Sequence, residues 1–288
     1  MTLLPKNIDQ ATVKGFGREW TTFTQSESDL TAEDRRAMFE SYFAIFPWDM
    51  LPPQSIGADI GCGSGRWAML VARRVGHLYA VDAGAEALSV ARKNLAGLDN
   101  VSFHHVSVSA LPFDDGALDF AYALGVLHHV PDTAGAIRNV AAKLKAGAPF
   151  LVYLYYAFDN RSAAYRALWK PSNAARLTLS RAPYPVQIAA TTAIAFLVYW
   201  PLARMAALLE KFGLRPRSWP LRFYRHRSLY VMRTDAFDRF CTRLEQRFTR
   251  AQITDMLRAA GLDDIKFSET EPFWVALAFK RREAGITR

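Results

Sequence analysis

Short apolar runs alternate with stretches in which apolar residues recur at helical spacing, from about Ile56 to Tyr156. Such alternation is typical of a parallel sheet whose strands are joined by helices. The predicted strands are Gly57–Gly61, His77–Asp82, Val101–Val106, Leu118–Leu124 and Pro149–Tyr156. The predicted helices are Arg66–Arg74, Ala85–Leu95 and Thr133–Leu144. We therefore expect an α/β fold.

The regular pattern breaks after Tyr156 and returns at Phe248. A helix is predicted over Thr249–Ala260, with Thr249 at or near its N-cap and Gly261 as its C-terminal stop. Two strands follow, Asp264–Ser268 and Phe273–Lys280. The predicted organisation is an N-terminal helical segment at 1–50, an α/β domain at 51–156 and 249–288, and an insert at 157–248.

Positive charge is concentrated in the insert. The whole chain has 36 Lys and Arg against 27 Asp and Glu, a net charge of +9. Between Ala157 and Arg250 there are 17 Lys and Arg against 5 Asp and Glu, so this segment alone carries +12. Such an asymmetry suggests an anionic substrate, a membrane surface or a nucleic acid as partner.

The two cysteines, Cys62 and Cys241, stand far apart and without metal-ligand spacing. Neither a disulfide framework nor a metal site is expected, and a reducing compartment fits best. Met1–Gln10 lacks the apolar stretch of a signal peptide. We therefore expect a cytoplasmic protein, peripheral to a membrane only if the insert makes that contact.

A glycine-rich turn, Gly61-Cys62-Gly63-Ser64-Gly65, follows the first predicted strand. Such glycines let the backbone approach a ligand closely at the end of a strand. Asp59 precedes the turn, where a carboxylate can pair with a cationic amino group. Asp82 ends the next strand, where it can accept hydrogen bonds from ribose hydroxyls. The spacing GxGxG differs from the GxGxxG of dinucleotide-binding proteins, which argues against an NAD-dependent oxidoreductase.

This combination resembles the class I S-adenosylmethionine-dependent methyltransferases over most of residues 12–156 and 248–282. The resemblance implies a Rossmann-like seven-stranded sheet of order 3-2-1-4-5-7-6 with its last strand antiparallel. Helices would flank the sheet, with a helical cap insert between strands 5 and 6. In the family, the first acid and the glycines hold the methionine half of the cofactor, and the second acid holds its ribose. The cofactor-binding residues implied are Asp59, Gly61, Cys62, Gly63, Gly65, Asp82, Ala83 and Leu124.

Three further segments resemble the family. Leu111-Pro112-Phe113 matches its turn into strand four, but Ser107 stands where an aspartate usually contacts the adenine amino group. Adenine recognition is therefore expected from the Ser107 hydroxyl and the backbone near Val108. Gly125–Val130 contains the family's Leu-His-His segment. Phe16–Trp20 resembles an N-terminal element that closes over the cofactor, although Trp20 could equally be an ordinary packing aromatic.

Candidate catalytic residues follow strand four. His128 and His129 could act as a general base for an oxygen or nitrogen acceptor, or could serve only to shape the loop. Tyr156, Asn160 and Arg161 follow strand five, where they could hold a polar or anionic group of the acceptor. Capping and solvation of that loop is the alternative.

The insert contains a stretch without charge at 182–203. Pro183, Pro185 and Pro201 bracket about fifteen helical residues, fewer than the roughly twenty of a membrane span. A buried lid over an apolar pocket and an interfacial helix on a membrane are the alternatives. Downstream, 215–233 interleaves arginines with aromatic residues, and Arg225 and Arg227 are predicted to hold an anionic group of the acceptor.

The leading hypothesis is a methyltransferase whose acceptor is a small or lipid-linked molecule of amphipathic or anionic character. The methylated atom (oxygen, nitrogen or carbon) and the oligomeric state stay open. Peripheral membrane contact through residues 182–233 is a further expectation. An RNA methyltransferase that uses the arginine-rich insert is disfavoured, because no Asn-Pro-Pro-Tyr type motif follows strand four. A catalytically inactive protein that binds the cofactor and a partner is the remaining alternative.

Overall fold

The computed structural model of the chain describes residues 7–214 and 219–282. These residues form two compact units. The first contains the segment up to Thr21, Arg36–Asn160 and the segment from Leu244 onwards; the second contains Thr22–Arg35 and Arg161–Arg243. Arg215 and Arg217, which belong to the predicted arginine-rich segment, lie outside the described residues.

A seven-stranded sheet forms the centre of the first unit, in the order β3-β2-β1-β4-β5-β7-β6. The strands are β1 (Ile56–Ile60), β2 (His77–Asp82), β3 (Val101–His105), β4 (Phe120–Leu124), β5 (Pro149–Tyr153), β6 (Leu262–Phe267) and β7 (Val275–Lys280). β1 to β5 pair in parallel, and β7 is antiparallel to both β5 and β6. The predicted strand order and the antiparallel last strand are confirmed.

The helices are α1 (Gln10–Thr22), α2 (Ala32–Tyr42), α3 (Ala68–Val71), α4 (Ala85–Asn94), α5 (Thr133–Lys143), α6 (Ala163–Leu179), α7 (Tyr184–Ile194), α8 (Trp200–Lys211), α9 (Leu229–Cys241) and α10 (Arg250–Ala259). α10 begins as predicted. The Thr249 hydroxyl accepts from the Gln252 N–H at 3.2 Å, and the Gln252 side chain accepts from the Thr249 N–H at 2.9 Å. This reciprocal pair is a capping box. Gly261, with φ of +77°, follows the helix as its predicted stop.

Most strand boundaries differ from the predicted ones by one to three residues, and two of these differences arise from pairing that the sequence does not reveal. β5 ends at Tyr153, since Tyr156 leaves the ladder and forms an isolated bridge with Phe248. β6 begins at Leu262 instead of Asp264 because Leu262 pairs with Lys280. A register shift between Asp263 and Lys266 interrupts the alternation of β6 and hides its start.

The second unit is helical, as expected for the insert, but its limits differ from 157–248. The Ala157 N–H donates to the Phe248 carbonyl oxygen at 2.9 Å, which ties both ends of the predicted insert to the first unit. Part of the N-terminal segment, Thr22–Arg35, belongs to the second unit. Phe23 packs on Phe237 with ring centroids 5.8 Å apart, and the Gln25 N–H donates to the Tyr230 hydroxyl at 2.9 Å.

The uncharged stretch forms a longer helix than predicted. α7 and α8 are joined by a π-helical turn over Ala195–Tyr199, so the helix continues from Tyr184 to Lys211, 28 residues. The prediction that Pro201 ends the helix is wrong. A proline ring clashes with the preceding turn of an α-helix and removes one backbone hydrogen bond. The wider π turn immediately before Pro201 makes room for the ring and does not need the missing hydrogen bond.

Candidate cofactor and acceptor site

The glycine-rich turn after β1 adopts backbone conformations that favour glycine. Gly61, Gly63 and Gly65 have φ of +75°, +55° and +78°. A Cβ on Gly61 would lie 2.4 Å from a methyl carbon of Val126, far inside van der Waals contact. Cys62, between the first two glycines, is a buried free thiol. Strain and lack of space therefore both exclude side chains at Gly61.

We expect Gly61→Ala to destabilise the domain by about 2–4 kcal/mol, because left-handed backbone strain adds to the overlap with Val126. Cofactor binding should be lost as well. Gly97→Ala is the matched control, since no atom lies within 4 Å of its added Cβ. Thermal unfolding of both variants checks the difference, and equal stability would show that the turn tolerates a side chain.

Asp59 lies in β1, one residue before the strand ends, and is 1% exposed. Burial raises the pKa of its carboxyl to about 8; the Tyr122 hydroxyl opposes the rise, Asp82 adds to it and Arg66 opposes it. Within the described residues, Asp59 Oδ2 is buried without a hydrogen-bond partner. A buried polar atom in this situation is unfavourable, and a cationic ligand group would supply the missing interaction.

Asp82, at the end of β2, accepts two backbone hydrogen bonds: Oδ2 from the Gly63 N–H at 2.9 Å and Oδ1 from the Gly84 N–H at 2.8 Å. Burial raises its pKa, and these hydrogen bonds oppose the rise. Each carboxylate oxygen keeps a second lone pair for a ribose hydroxyl.

His105 stands opposite Asp82 in the register of β3 and β2, and its Nε2 lies 3.0 Å from the Ala83 carbonyl oxygen. The sequence does not single out His105. Its place beside Asp82, which is predicted to hold the ribose, follows only from the register of β2 and β3. The sequence does not reveal this register.

α1 lies against the glycine turn. A Cβ on Gly63 would be 3.0 Å from the Trp20 indole. Phe16, one helical turn earlier and on the same face, contacts His129 with ring centroids 5.0 Å apart. The structure thus brings Trp20 and the N-terminal element to the predicted cofactor site, where bulky rings can exclude water.

The residues predicted to contact adenine lie beyond β3. Ser107 is the N-cap of a short 3₁₀ turn, and its hydroxyl accepts from the Ser109 N–H at 3.1 Å. The Ser107 hydroxyl therefore stabilises its own turn, and Val108 beside it is buried. Ala83 follows β2 and Leu124 ends β4, so both lie at the carboxyl edge of the parallel strands.

His128 and His129 are buried in a 3₁₀ turn after β4. His129 Nδ1 lies 2.7 Å from the Leu244 carbonyl oxygen. Because a carbonyl oxygen only accepts, Nδ1 carries the proton, and Nε2 is the acceptor nitrogen of the neutral ring. Burial, with smaller effects of His129 and Arg247, holds the pKa of His128 well below its usual value. His128 is therefore a neutral imidazole.

Tyr155 and a buried ion pair adjoin these histidines. Tyr155 stacks on His128 with ring centroids 3.9 Å apart, and the Arg247 guanidinium lies 5.2 Å from the Tyr155 centroid. Arg247 pairs with Glu245 at 2.7 Å, and their side chains are only 11% and 1% exposed. The sequence does not single out Glu245 or Arg247, which it assigns to the end of the insert.

The remaining predicted acceptor residues are divided between the units: Tyr156 and Asn160 belong to the first, and Arg161, Arg225 and Arg227 to the second. Arg225 pairs with Glu210 at 2.8 Å, and this interaction lowers the pKa of Glu210 to about 2. A guanidinium nitrogen of Arg227 lies 3.5 Å from the Asp34 carbonyl oxygen. Both arginines thus have partners within the second unit, and their contact with an acceptor stays a prediction.

The hydrogen-bond acceptors at the carboxyl edge of the sheet fit S-adenosylmethionine. The buried Asp59 oxygen, which has no hydrogen-bond partner among residues 7–214 and 219–282, suits the methionine ammonium group. The two oxygens of Asp82 suit the ribose, and the glycines between these acids leave room for the backbone to approach the ligand.

Comparison with known proteins agrees with this assignment. Residues 58–147 match the family described as "Methyltransferase domain". The uncharacterized methyltransferase YcgJ of Bacillus subtilis is 35% identical over 101 residues, 34% of this chain and 40% of the relative. A ubiquinone biosynthesis O-methyltransferase of Marinobacter nauticus is 36% identical over 100 residues, 33% of this chain and 41% of the relative. The chain therefore matches about two fifths of each relative's length.

The solved structure of YcgJ is 16% identical and covers 86% of this chain and 98% of that chain, with a TM-score of 0.48. The family match, the glycine turn with its two acids and the strand order identify the first unit as a class I S-adenosylmethionine-dependent methyltransferase domain.

Proposed function

We propose that the protein transfers the methyl group of S-adenosylmethionine to an oxygen atom of a small or lipid-linked acceptor with amphipathic or anionic character. The observation that carries the proposal is the buried Asp59 carboxyl, whose Oδ2 has no hydrogen-bond partner in the part of the chain that the structure describes and which adjoins a glycine turn closed to side chains. The names of several relatives, which are O-methyltransferases of ubiquinone biosynthesis, support the choice of oxygen.

The cofactor supplies an electrophilic methyl group on a sulfonium centre. The protein's contribution is mainly to orient the reactants and to exclude water. Asp59 would hold the methionine ammonium group and Asp82 the ribose, and the Trp20 and Phe16 rings of α1 cover the glycine turn and His129. An oxygen acceptor must lose a proton as the new bond forms, and His129 Nε2 can accept it while Nδ1–H stays anchored on Leu244.

The neighbourhood of the histidines suits an acceptor that is partly apolar and partly negative. Tyr42, Tyr153 and Tyr155 form an aromatic series, with centroid distances of 5.2 Å between the first two and 5.8 Å between the last two. Arg247 lies over the Tyr155 ring in a desolvated setting, and its guanidinium, which pairs with Glu245, carries enough N–H groups to bind a second carboxylate. An aromatic or prenylated hydroxyl compound carrying a carboxylate would match both features.

The test is a transfer assay with methyl-labelled S-adenosylmethionine and three acceptor sets: prenylated phenols, the same phenols with a carboxylate, and total RNA. We expect label on a phenolic oxygen, with the carboxylated compounds preferred. Arg247→Met should reduce that preference. Label only in RNA would overturn the proposal in favour of an RNA methyltransferase. Cofactor binding without transfer to any set would favour an inactive binding protein.

A further inference from the structure

The long helix of the second unit, 184–211, has its large apolar side chains on the outside. Its fully buried residues are small or polar, with Ile188 and Ile194 partly buried beside them: Gln187, Thr191, Ala195, Tyr199, Ala203 and Ala206. Ala195, Tyr199 and Ala203 pack on Met232, Ala236 and Phe240 of α9. In a water-soluble helix the larger apolar residues would occupy this inner face, so the usual arrangement is reversed.

The outer face is an apolar ridge. Nine of the eleven exposed large hydrophobic side chains in the described residues lie between Val186 and Leu214. They are Val186, Phe196, Leu197, Val198, Trp200, Met205, Leu208, Phe212 and Leu214. At about half exposure and ~200 Å² each, they present on the order of 900 Å². Soluble monomers rarely expose more than a few hundred Å² of contiguous apolar surface, so a partner is expected.

The helix is long and apolar enough to cross a membrane, but its surroundings argue for a position along the surface. Only 22% of its most apolar window is buried, so it is not the core helix of a soluble domain. Its inner face packs on α9, which carries Arg233, Asp235, Asp238 and Arg239. Charged residues of this density are too costly in a bilayer centre. A helix with one apolar face and a charged neighbour behind it suits the interface.

The positive charge of the second unit indicates which kind of surface the apolar ridge contacts. Residues 161–243 contain 15 Lys and Arg against 3 Asp and Glu. Arg181 and Lys211, at the two ends of the helix, are exposed, and so are Arg166 and Lys170 on α6. A second copy of this chain would bring the same positive charge against the ridge and be repelled. Anionic lipid headgroups are complementary to it, and the exposed Trp200 is a side chain typical of the membrane interface.

We propose that the outer face of the helix 184–211, with Phe212 and Leu214, docks the protein in the plane of an anionic membrane surface. The uncharged stretch inserts among the acyl chains near the headgroups, and the flanking basic residues contact lipid phosphates. This proposal does not depend on the acceptor of methyl transfer, and it narrows the membrane contact expected at 182–233 to the outer face of one helix.

The experiment is vesicle flotation of the full chain with phosphatidylcholine vesicles and with mixed phosphatidylcholine and phosphatidylglycerol vesicles. The wild type should float with the mixed vesicles, less with the neutral ones, and less again at high salt. Leu197→Glu/Phe212→Glu changes two side chains that are each 75% exposed, so packing is preserved. This double variant should lose vesicle binding by about tenfold or more, because two charges must enter the apolar region.

Met50→Glu is the matched control, since Met50 is a 56% exposed hydrophobic residue of the first unit. It should bind vesicles like the wild type, and all three proteins should bind S-adenosylhomocysteine equally, which confirms folding. Absence of wild-type flotation with anionic vesicles would overturn the proposal, as would equal flotation of the double variant. A wild-type dimer that the double variant converts to monomers, without vesicle binding, would assign the ridge to a second copy instead.

Discussion

Replacing Asp59 with Asn is expected to weaken binding of S-adenosylhomocysteine, which carries the same ammonium group as the cofactor, on the order of 100-fold. The substitution keeps the shape of the side chain and removes only the negative charge. Because Asp59 is buried and its Oδ2 has no partner within the described residues, little else can take over the ammonium group. Calorimetric titration at pH 8 measures the loss.

The raised pKa of Asp59 also predicts how binding depends on pH. With a pKa of about 8 in the free protein, most molecules carry a protonated Asp59 at pH 7. Pairing with the ammonium group requires the ionised form, so binding should release a proton and affinity should fall about tenfold for each pH unit below 8. Titrations in buffers of different ionisation enthalpy between pH 6 and 8 reveal this proton, and Asp59→Asn should abolish it.

The stability of the free protein should change in the opposite sense. The pKa of Asp59 is higher in the folded chain than in the unfolded one, so the unfolded chain loses this proton first as pH rises. The contribution of the protonated Asp59 carboxyl to folding stability is therefore complete below about pH 4 and is lost as pH rises through 8. Free Asp59→Asn should thus melt above the wild type at pH 9 and yet gain less stability than the wild type from the same concentration of S-adenosylhomocysteine.

Asp115→Asn removes one charge from a side chain that is 74% exposed, and it should leave cofactor affinity and proton release unchanged. If Asp59→Asn bound the ligand as tightly as this control, the methionine end of the cofactor would have to be held elsewhere.

The cofactor side of the site could be predicted from the sequence because its chemistry is local. Asp59 and the glycines lie within seven consecutive residues of a strand and its following turn, and Asp82 ends the next strand. Parallel strands place their carboxyl ends at one edge of a sheet, so their order along the chain suffices to bring these groups together. The strand order itself came from the resemblance, not from the periodicity.

The acceptor side depends on contacts between residues that are far apart in the chain. His129 is oriented by Leu244, which is 115 residues away, and Tyr155 lies between His128 and Arg247. No short motif signals such an arrangement. Phe23 likewise joins the second unit through residues far away in the chain, such as Phe237 and Tyr230. Local sequence patterns identify the elements in these cases but not their partners.

The helix 184–211 shows a different limit. Prolines are usually reliable helix ends, and the sequence gives no sign that a π turn over Ala195–Tyr199 carries the helix past Pro201. Composition reveals an apolar helix, but only the structure shows that Ala195 and Ala203 face inward and Leu197 faces outward. A lid and an interfacial helix have the same composition and differ in which face is covered.

His129→Asn is expected to lower kcat for an oxygen acceptor by about 10²–10³-fold, the usual contribution of a general base. The Asn side chain retains an N–H near the position of Nδ1, so it can still donate to the Leu244 carbonyl oxygen and preserve the loop. It has no basic nitrogen in place of Nε2. Steady-state rates with a phenolic acceptor measure the loss, and affinity for S-adenosylhomocysteine should be unchanged.

A pH profile distinguishes the loss of a base from a misplaced loop. The wild-type kcat should not require an acceptor that is already ionised, because the base takes its proton, whereas the residual rate of His129→Asn should rise with pH only as the acceptor itself ionises. His128→Asn is the companion variant, and because His128 is a buried neutral ring stacked on Tyr155, its loss should be about tenfold or less. A larger loss in His128→Asn would make His128 the base. Full activity in both variants would show that the acceptor reaches the cofactor already ionised, with orientation and desolvation as the protein's whole contribution.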